Sequence, residues 1–288
     1  MECWIRNPIL HYSSTPTLHF AKAMATATKI EIRDVRHAYQ SDALSVLALA
    51  NVDLTVGDGE FVALLGPSGC GKSSLLRIVA DLLRPTGGTV QIHSAANEKN
   101  GRPKTALVFQ EYALFPWRTV LDNVTFSLEM RGVSRDERLA VARDVLARVG
   151  LQTFADVYPH QLSGGMRQRV GIARALAAQP EVLLMDEPFG ALDAQTRTVL
   201  QEELLRVWEI ERKTVLYVTH SIDEAVFLAD RVVLLTARPG RIKAEYPVEL
   251  PRPRSMEMRG WSSYTKLSLK IWEALKDEVQ LAMVSETP

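Results

Sequence analysis

Residues 66–74 of the chain read Gly66-Pro67-Ser68-Gly69-Cys70-Gly71-Lys72-Ser73-Ser74. The residues before this stretch, 60–65, form a short and mostly apolar run, which is typical of a buried strand. The residues after it, 74–80, carry apolar side chains at helical spacing. The stretch therefore predicts a glycine-rich turn that leads from a strand into a helix, a unit from which α/β folds are built.

The spacing within this turn matches G-x-x-x-x-G-K-[ST], the phosphate-binding loop of nucleoside triphosphatases. Glycines let successive backbone N–H groups approach one anion, and the N-terminus of the following helix adds partial positive charge there. Lys72 supplies a full charge for the β- and γ-phosphates, and the Ser73 hydroxyl can ligate Mg²⁺. The alternative is a Gly/Ser-rich turn with a solvated lysine, but the flanking strand and helix favour phosphate binding.

Composition restricts the class of protein. The chain has 288 residues, enough for one large α/β domain or a domain with a subdomain. Its 34 basic and 34 acidic side chains balance, which gives no support to a general nucleic-acid binder. The two cysteines, Cys3 and Cys70, cannot form a disulfide framework, which suits a reducing cytosol. Because Cys70 precedes a predicted helix and lies near Lys72, we expect its thiolate to be favoured.

The N-terminal residues 1–28 predict a poorly ordered extension without a secretory signal. Met24 shortly precedes the first convincing strand, so we expect the natural start there. No window has the apolar run that a membrane-spanning helix needs, so any work at a membrane requires other chains for the spanning.

The rest of the chain predicts a mainly parallel sheet in three layers, because strands alternate with helices. Strands are expected at 29–35, 47–56, 60–65, 89–92, 105–109, 181–187, 214–219 and 231–236. Amphipathic helices at 119–131, 135–149 and 165–178, with little strand signal between them, predict a helical subdomain inserted at about 112–178. Further helices are expected at 195–212 and 221–229, and Pro247 begins a predicted linker with a helical tail within 246–288.

Two further groups of residues suggest phosphate chemistry. Asp186 and Glu187 end a buried strand, where the first could hold Mg²⁺ and the second could activate water. Alone, they are as readily two solvated acids. Ser163-Gly164-Gly165 opens a predicted helix and offers a second anion cradle, although such a motif is more often only a helix cap.

At this point the chain resembles the ATP-binding cassette (ABC) ATPases, because residues 162–169 look like their signature motif. The other motifs follow in the order of the family over residues 29–245. They are Tyr39 (the aromatic residue that stacks on adenine), residues 66–73 (Walker A), Gln110 (the glutamine near Mg²⁺ and water), residues 182–186 (Walker B) with Glu187 (the catalytic glutamate), Asp193 in the D-loop, and His220 (the switch histidine). Each residue taken singly has an ordinary structural explanation.

The resemblance implies a P-loop fold with an antiparallel β subdomain, and two cassettes that pack head to tail. Each ATP would lie between residues 66–74 of one cassette and the signature of the other. The resemblance assigns catalysis to Glu187, His220 and Gln110, and Mg²⁺ binding to Ser73, Gln110 and Asp186. It assigns Asp193 to the dimer interface. The residues that would contact the ATP of the partner are Ser163, Gly164, Gly165 and Gln168. A homodimer is expected.

Finer features resemble bacterial importers of nitrate, sulfonate, taurine and bicarbonate. These are Leu114-Phe115-Pro116-Trp117 and the segments 163–169, 223–230 and 237–242. The resemblance implies an importer at the cytoplasmic face of the cell membrane, with permease subunits that contact the aromatic residues at 109–117 and, indirectly, an extracytoplasmic binding protein. Ser221 stands where many cassettes have Asp. The alternatives are a soluble cassette of DNA repair or translation, and a P-loop kinase, which would lack the signature and switch motifs.

Overall fold

The structure is a computed structural model that describes residues 27–40, 45–94 and 102–285. The expected start at Met24 and nearly all of the predicted extension at 1–28 lie outside the described residues. So do most of residues 94–103, whose polar sequence with Gly and Pro predicts a surface loop.

A six-stranded sheet forms the centre of the described structure, with strand order β5-β6-β7-β3-β8-β9. Neighbouring strands are parallel except for β9, which runs antiparallel to β8 at one edge. The strands are β3 (Phe61–Leu65), β5 (Thr105–Val108), β6 (Val182–Asp186), β7 (Thr214–Thr219), β8 (Arg231–Leu235) and β9 (Ile242–Pro247). The prediction of an α/β fold with a mainly parallel sheet is confirmed.

Alternate residues of the central strands face two different apolar cores. In β3, Phe61, Ala63 and Leu65 pack on one face, whereas Val62 and Leu64 pack on the other. Because both faces are covered, every residue of β3 is buried and the strand reads as a continuous apolar run instead of an alternating one. Each fully buried large apolar side chain contributes roughly 1.5–3 kcal/mol, so this central strand is a main source of stability.

A second sheet covers one of those faces together with the helix that follows the phosphate loop. It is antiparallel, with the order β2-β1-β4, from β1 (Thr28–Gln40), β2 (Ser45–Gly57) and β4 (Gly87–Ile92). The helix α1 (Lys72–Val79) packs between the sheets and contributes Leu75 and Leu76 to their shared core. The antiparallel sheet that the family resemblance implies is therefore present.

Helices cover the opposite face. Those between β5 and β6 are α2 (Val120–Met130), α3 (Arg135–Arg148) and α4 (Gly164–Ala177), close to the predicted helices. Thr119, Ser134 and Ser163 cap them by accepting a backbone N–H bond, which explains where each helix begins. The helices α5 (Ala194–Glu211) and α6 (Ile222–Leu228) lie between the later strands.

The C-terminal part differs from the prediction in one respect. Strand β9 was not predicted, and Pro247, where the linker was expected to begin, is its last residue. A proline is tolerated there because β9 lies at the edge of the sheet. The predicted helical tail is present as α7 (Ser262–Ser285), which packs on α6, where the Tyr264 hydroxyl donates to the Asp223 carboxylate at 2.6 Å. Within the described residues, no helix is both long and apolar enough to cross a membrane.

Candidate active site

The glycine-rich turn joins β3 to α1, as the sequence predicts. Gly71 lies immediately before the helix with φ 100°, a left-handed conformation that favours glycine. A Cβ atom at this position would lie 2.7 Å from Leu49 Cδ2 and 2.8 Å from the Ala48 carbonyl oxygen. Both the conformation and the lack of space therefore require glycine, and the first backbone N–H groups of α1 remain available to an anion.

The side chain of Lys72 is buried against the backbone of this loop. Its ammonium donates to the carbonyl oxygens of Gly66 and Pro67, each at 2.8 Å, and the residue is only 5% exposed. Among the described residues, no carboxylate forms an ion pair with it. A buried cation that is hydrogen-bonded to neutral carbonyl groups is stabilised by an anionic ligand, so the site fits a phosphate.

A cavity of about 310 Å³ opens beside the loop. Tyr39 forms part of its wall; the residue is 43% exposed, and its hydroxyl lies 2.9 Å from Ser74 Oγ. The rings of Tyr39 and His37 are nearly perpendicular, with centroids 4.6 Å apart, and an exposed aromatic ring in this position fits stacking on a base. The complete lining is Tyr39, Val46, Ala48, Ser68, Gly69, Cys70, Gly71, Lys72, Ser73, Ser74, Glu187 and Arg238.

Ser73 and Asp186 meet across this site. The Ser73 hydroxyl donates to Asp186 Oδ1 at 2.7 Å, although 113 residues separate them. Burial raises the pKa of the Asp186 carboxyl, against the lowering effect of the hydrogen bond from Ser73. Hydroxyl and carboxylate oxygens are ligands that Mg²⁺ prefers beside a triphosphate, and a cation would compensate the cost of burying this carboxylate. The donor set therefore fits Mg²⁺.

Glu187 follows Asp186 but contacts different groups. Its φ of 43° is unusual for a residue with a side chain and turns the chain sharply at the end of β6. Its carboxylate Oε2 lies 3.0 Å from His220 Nδ1. A side chain built on Gly190 would meet both Gln110 Nε2, at 3.4 Å, and Glu187 Oε2, at 3.7 Å. The structure thus brings Gln110, Glu187 and His220 to one end of the sheet.

The residues of the second predicted cradle lie elsewhere. Ser163 is exposed, and its hydroxyl accepts the Met166 N–H at 3.3 Å as the cap of α4. Asp193 caps α5 in the same way, and the hydrogen bonds from Thr196 lower the pKa of its carboxyl. Gly164 is half-buried and Gly165 is buried against α5, and none of these residues lines the cavity at Lys72.

Two sequence-based expectations are wrong. Gln168 was expected to face the ATP of a partner, but its side chain is fully buried, and neither amide atom has a hydrogen-bond partner among the described residues. It therefore acts within the core between the helices. Cys70 was expected to favour its thiolate, but it is fully buried, and burial raises the pKa of its thiol despite the nearby Lys72 charge.

Arg238 was not predicted as a site residue. Its segment, 237–242, resembles a class of importers, but nothing in the local pattern shows that it returns to the phosphate loop. Val46 and Ala48 were also missed, because they read as ordinary strand residues and reach the cavity only through the pairing of β1 with β2.

The aromatic segment after Gln110 lies at the surface of the helical layer. Trp117 is 72% exposed, and its ring lies 5.6 Å from that of Phe115, which in turn packs on Phe126 with centroids 4.6 Å apart. The Arg118 guanidinium stacks on the Phe126 ring at 4.9 Å. An exposed tryptophan on an ordered aromatic base is typical of a protein-binding surface.

Comparison with known proteins agrees with this geometry. The ABC transporter family matches residues 49–190. An uncharacterized ABC transporter ATP-binding protein of Methanocaldococcus jannaschii is 51% identical over 87% of this chain and 92% of its own length. The nitrate import ATP-binding protein of Synechocystis sp. is 47% identical over 77% of this chain and 83% of its own length. The taurine import ATP-binding protein of Burkholderia pseudomallei is 46% identical over 88% of this chain and 98% of its own length.

A solved structure also shares the fold. The dimeric structure of a post-hydrolysis state of an ATP-binding cassette bound to ADP and Pi matches with a TM-score of 0.65 at 35% identity, over 77% of this chain and 100% of that chain. The chain therefore belongs to the ABC transporter family, among the ATP-binding, ATP-hydrolysing subunits of its importer class.

Proposed function

We propose that two copies of this chain form a dimer that couples ATP hydrolysis to the uptake of a small anion, such as nitrate or taurine, through permease subunits. The dimer is proposed because the two predicted anion-binding segments, the phosphate loop at Lys72 and Ser163-Gly164-Gly165, lie apart within one chain. The cavity at Lys72 is open, whereas exposed Ser163 caps a different helix and does not line that cavity. A second copy would supply the missing wall, and the dimeric cassette solved with ADP and Pi supports this arrangement.

Within each site, we assign roles from the contacts. Lys72 and the N–H groups of the loop bind the phosphates, and Tyr39 stacks on the base. Ser73 and Asp186 hold Mg²⁺ with the help of Gln110, and the cation when bound neutralises phosphate charge. Glu187 accepts a proton from the attacking water, since His220 holds its carboxylate at 3.0 Å. Asp193, at the start of α5, contacts the partner.

The exposed aromatic surface at Trp117 supports binding to the permease subunits. We infer that the dimer binds them at the cytoplasmic face of the cell membrane. An extracytoplasmic protein would deliver the anion to the permease. A soluble ABC ATPase of DNA repair or translation shares the ATP site but has no need of this surface. The named nitrate and taurine import relatives support the proposed substrate class. The cassette itself does not need to touch the anion.

The dimer is tested with a variant that binds ATP without hydrolysing it. Glu187→Gln should form a stable dimer with ATP in size analysis, and Lys72→Ala should remain a monomer. The double variant Glu187→Gln, Ser163→Arg is the matched control. It keeps the cavity and should bind ATP as a monomer, because only the second cradle is blocked. If Glu187→Gln binds ATP and remains a monomer, the composite site is refuted.

Transport is tested in cells that depend on the native protein. Lys72→Ala should abolish energy-dependent uptake of one of these anions, and Trp117→Ala should reduce uptake while the purified protein keeps its ATPase activity. Uptake that survives Lys72→Ala for every anion tested would refute the importer assignment. Native protein that remains in the soluble fraction and binds no membrane protein would favour the soluble alternative.

A further inference from the structure

The turn between β8 and β9 lies directly on the phosphate loop. Gly240 donates its N–H to the Ala48 carbonyl at 2.9 Å and accepts the Ala50 N–H at 3.0 Å. A Cβ atom at Gly240 would come within 2.1 Å of the Cys70 carbonyl oxygen, so no larger residue fits without movement. The close approach fixes this turn relative to the loop that holds Lys72.

Hydrogen bonds within the turn also stabilise it. The Thr236 hydroxyl donates to the Pro239 carbonyl at 3.0 Å and accepts the Arg241 N–H at 3.0 Å. Thr236 donates its own N–H to the Arg241 carbonyl at 2.9 Å. The backbone around Arg238 is therefore held in one conformation by bonds on both sides of it.

The C-terminal helix α7 also contacts this turn. Glu278 of α7 accepts the Ala237 N–H at 2.7 Å, and its other carboxylate oxygen pairs with Lys243 at 2.8 Å. Lys243 also donates to the Ala274 carbonyl at 2.9 Å. Glu278 is only 6% exposed, so this contact lies inside the protein and links α7 to the residue before Arg238.

Arg238 itself is exposed and forms part of the wall of the cavity, together with Tyr39 and residues 68–74. No carboxylate in the described part of the chain pairs with it. A guanidinium on a fixed turn, without a protein counter-ion and beside a phosphate loop, is matched by phosphate oxygens, which it can bind through two N–H groups at once.

We propose that Arg238 is a further nucleotide-binding residue that contacts a phosphate oxygen, and that Glu278 of the C-terminal helix positions it. The proposal rests on the nucleotide site assigned above and extends it to a turn and a helix that the ATP-binding motifs do not include. The preorganised turn lowers the entropy that a free arginine would lose on binding, which is why the contact through Glu278 matters.

The test is calorimetric titration of the full-length chain with ATP, ADP and adenosine. Arg238→Ala should weaken binding of ATP and ADP by about 10- to 100-fold, the usual effect of a lost charged hydrogen bond, and leave adenosine unchanged. Arg238→Lys should be intermediate, because it keeps the charge without the paired donors. Arg241→Ala is the matched control, since Arg241 is exposed on the same turn but does not line the cavity.

Three results would overturn the contact. They are wild-type affinity of Arg238→Ala for ATP and ADP, an equal loss for adenosine, and an equal loss in Arg241→Ala. Failure of this proposal is distinguishable from failure of the ATP site, because in the latter case neither the wild type nor Lys72→Ala would show saturable binding of ATP.

The positioning role has its own test. Glu278→Ala should weaken ATP binding several-fold, whereas Glu278→Gln should retain near wild-type binding, because its amide oxygen can still accept the Ala237 N–H. Rescue by glutamine separates positioning from a general loss of stability, which urea denaturation measures in parallel. Wild-type binding by Glu278→Ala, or equal losses in both variants, would overturn this role.

Discussion

His220 Nδ1 lies 3.0 Å from Glu187 Oε2, and this contact joins the ends of two neighbouring parallel strands, β6 and β7. The imidazole is exposed while the carboxylate is largely covered, so the histidine is the member of the pair that can respond to a ligand. The contact with His220 restricts the direction of the Glu187 carboxylate.

We therefore expect His220→Ala to impair catalysis more than binding. The turnover number for ATP should fall by about 100-fold or more, the scale of a misplaced general base, while the dissociation constant for ATP changes little. Steady-state ATPase rates and equilibrium ATP binding measure the two quantities. His93→Ala is the control, since the exposed His93 imidazole lies on the antiparallel sheet, where its Nε2 is 3.3 Å from Glu31 Oε2. Equal turnover in His220→Ala and the wild type would contradict the role of this pair.

The behaviour of Cys70 gives a second prediction. In a Cys3→Ser background, Cys70 is the remaining cysteine of the sequence. Because it is fully buried and the pKa of its thiol is raised, the neutral thiol dominates at pH 7 and reagents reach it only through local opening. Alkylation of the folded chain should thus be at least about 100-fold slower than in urea. Mass spectrometry follows the labelling, and comparable rates in both states would show that the loop is open.

The sequence predicted what depends on near neighbours along the chain. The phosphate loop, its strand and its helix form within about twenty residues, and their pattern is local. The pairing of Glu187 with His220 depends instead on β7 lying beside β6, which no local pattern shows. The same holds for Arg238, which reaches the cavity because Gly240 packs on Cys70.

The errors have equally specific causes. Strand β9 is short, and it was missed although its apolar residues alternate with charged ones as in a half-exposed strand, because Pro247 was interpreted as the start of a linker. Gln168 lies within the signature in sequence, but the helical phase of α4 directs its side chain into the helical core. The position of Cys70 beside Lys72 suggested a thiolate, and only the packed structure shows that burial dominates over the nearby charge.

Gln168 supplies a third prediction. Its buried amide has no hydrogen-bond partner in the part of the chain that the structure describes, a state that costs roughly 1–3 kcal/mol. Gln168→Met keeps a similar volume without those polar atoms, so the free energy of unfolding in urea should rise by about that amount. ATPase activity should not change, because the side chain does not reach the surface. Gln280→Met, at an exposed position of α7, should change stability by less than about 0.5 kcal/mol. A loss of ATPase activity without a gain in stability would instead support contact with nucleotide.

Glu224, which follows His220 at the start of α6, gives the last prediction. Its buried carboxylate accepts hydrogen bonds from Tyr217 at 3.0 Å, Thr219 at 2.7 Å and Gln201 at 3.1 Å. Glu224→Ala leaves these donors without a partner, so the free energy of unfolding in urea should fall by about 3 kcal/mol. Turnover should also fall, because β7 ends at Thr219, directly before the switch histidine. Glu224→Gln keeps an acceptor and should lose less than half as much stability. Equal stability of the alanine and glutamine variants would show that the hydrogen bonds do not hold the end of this strand.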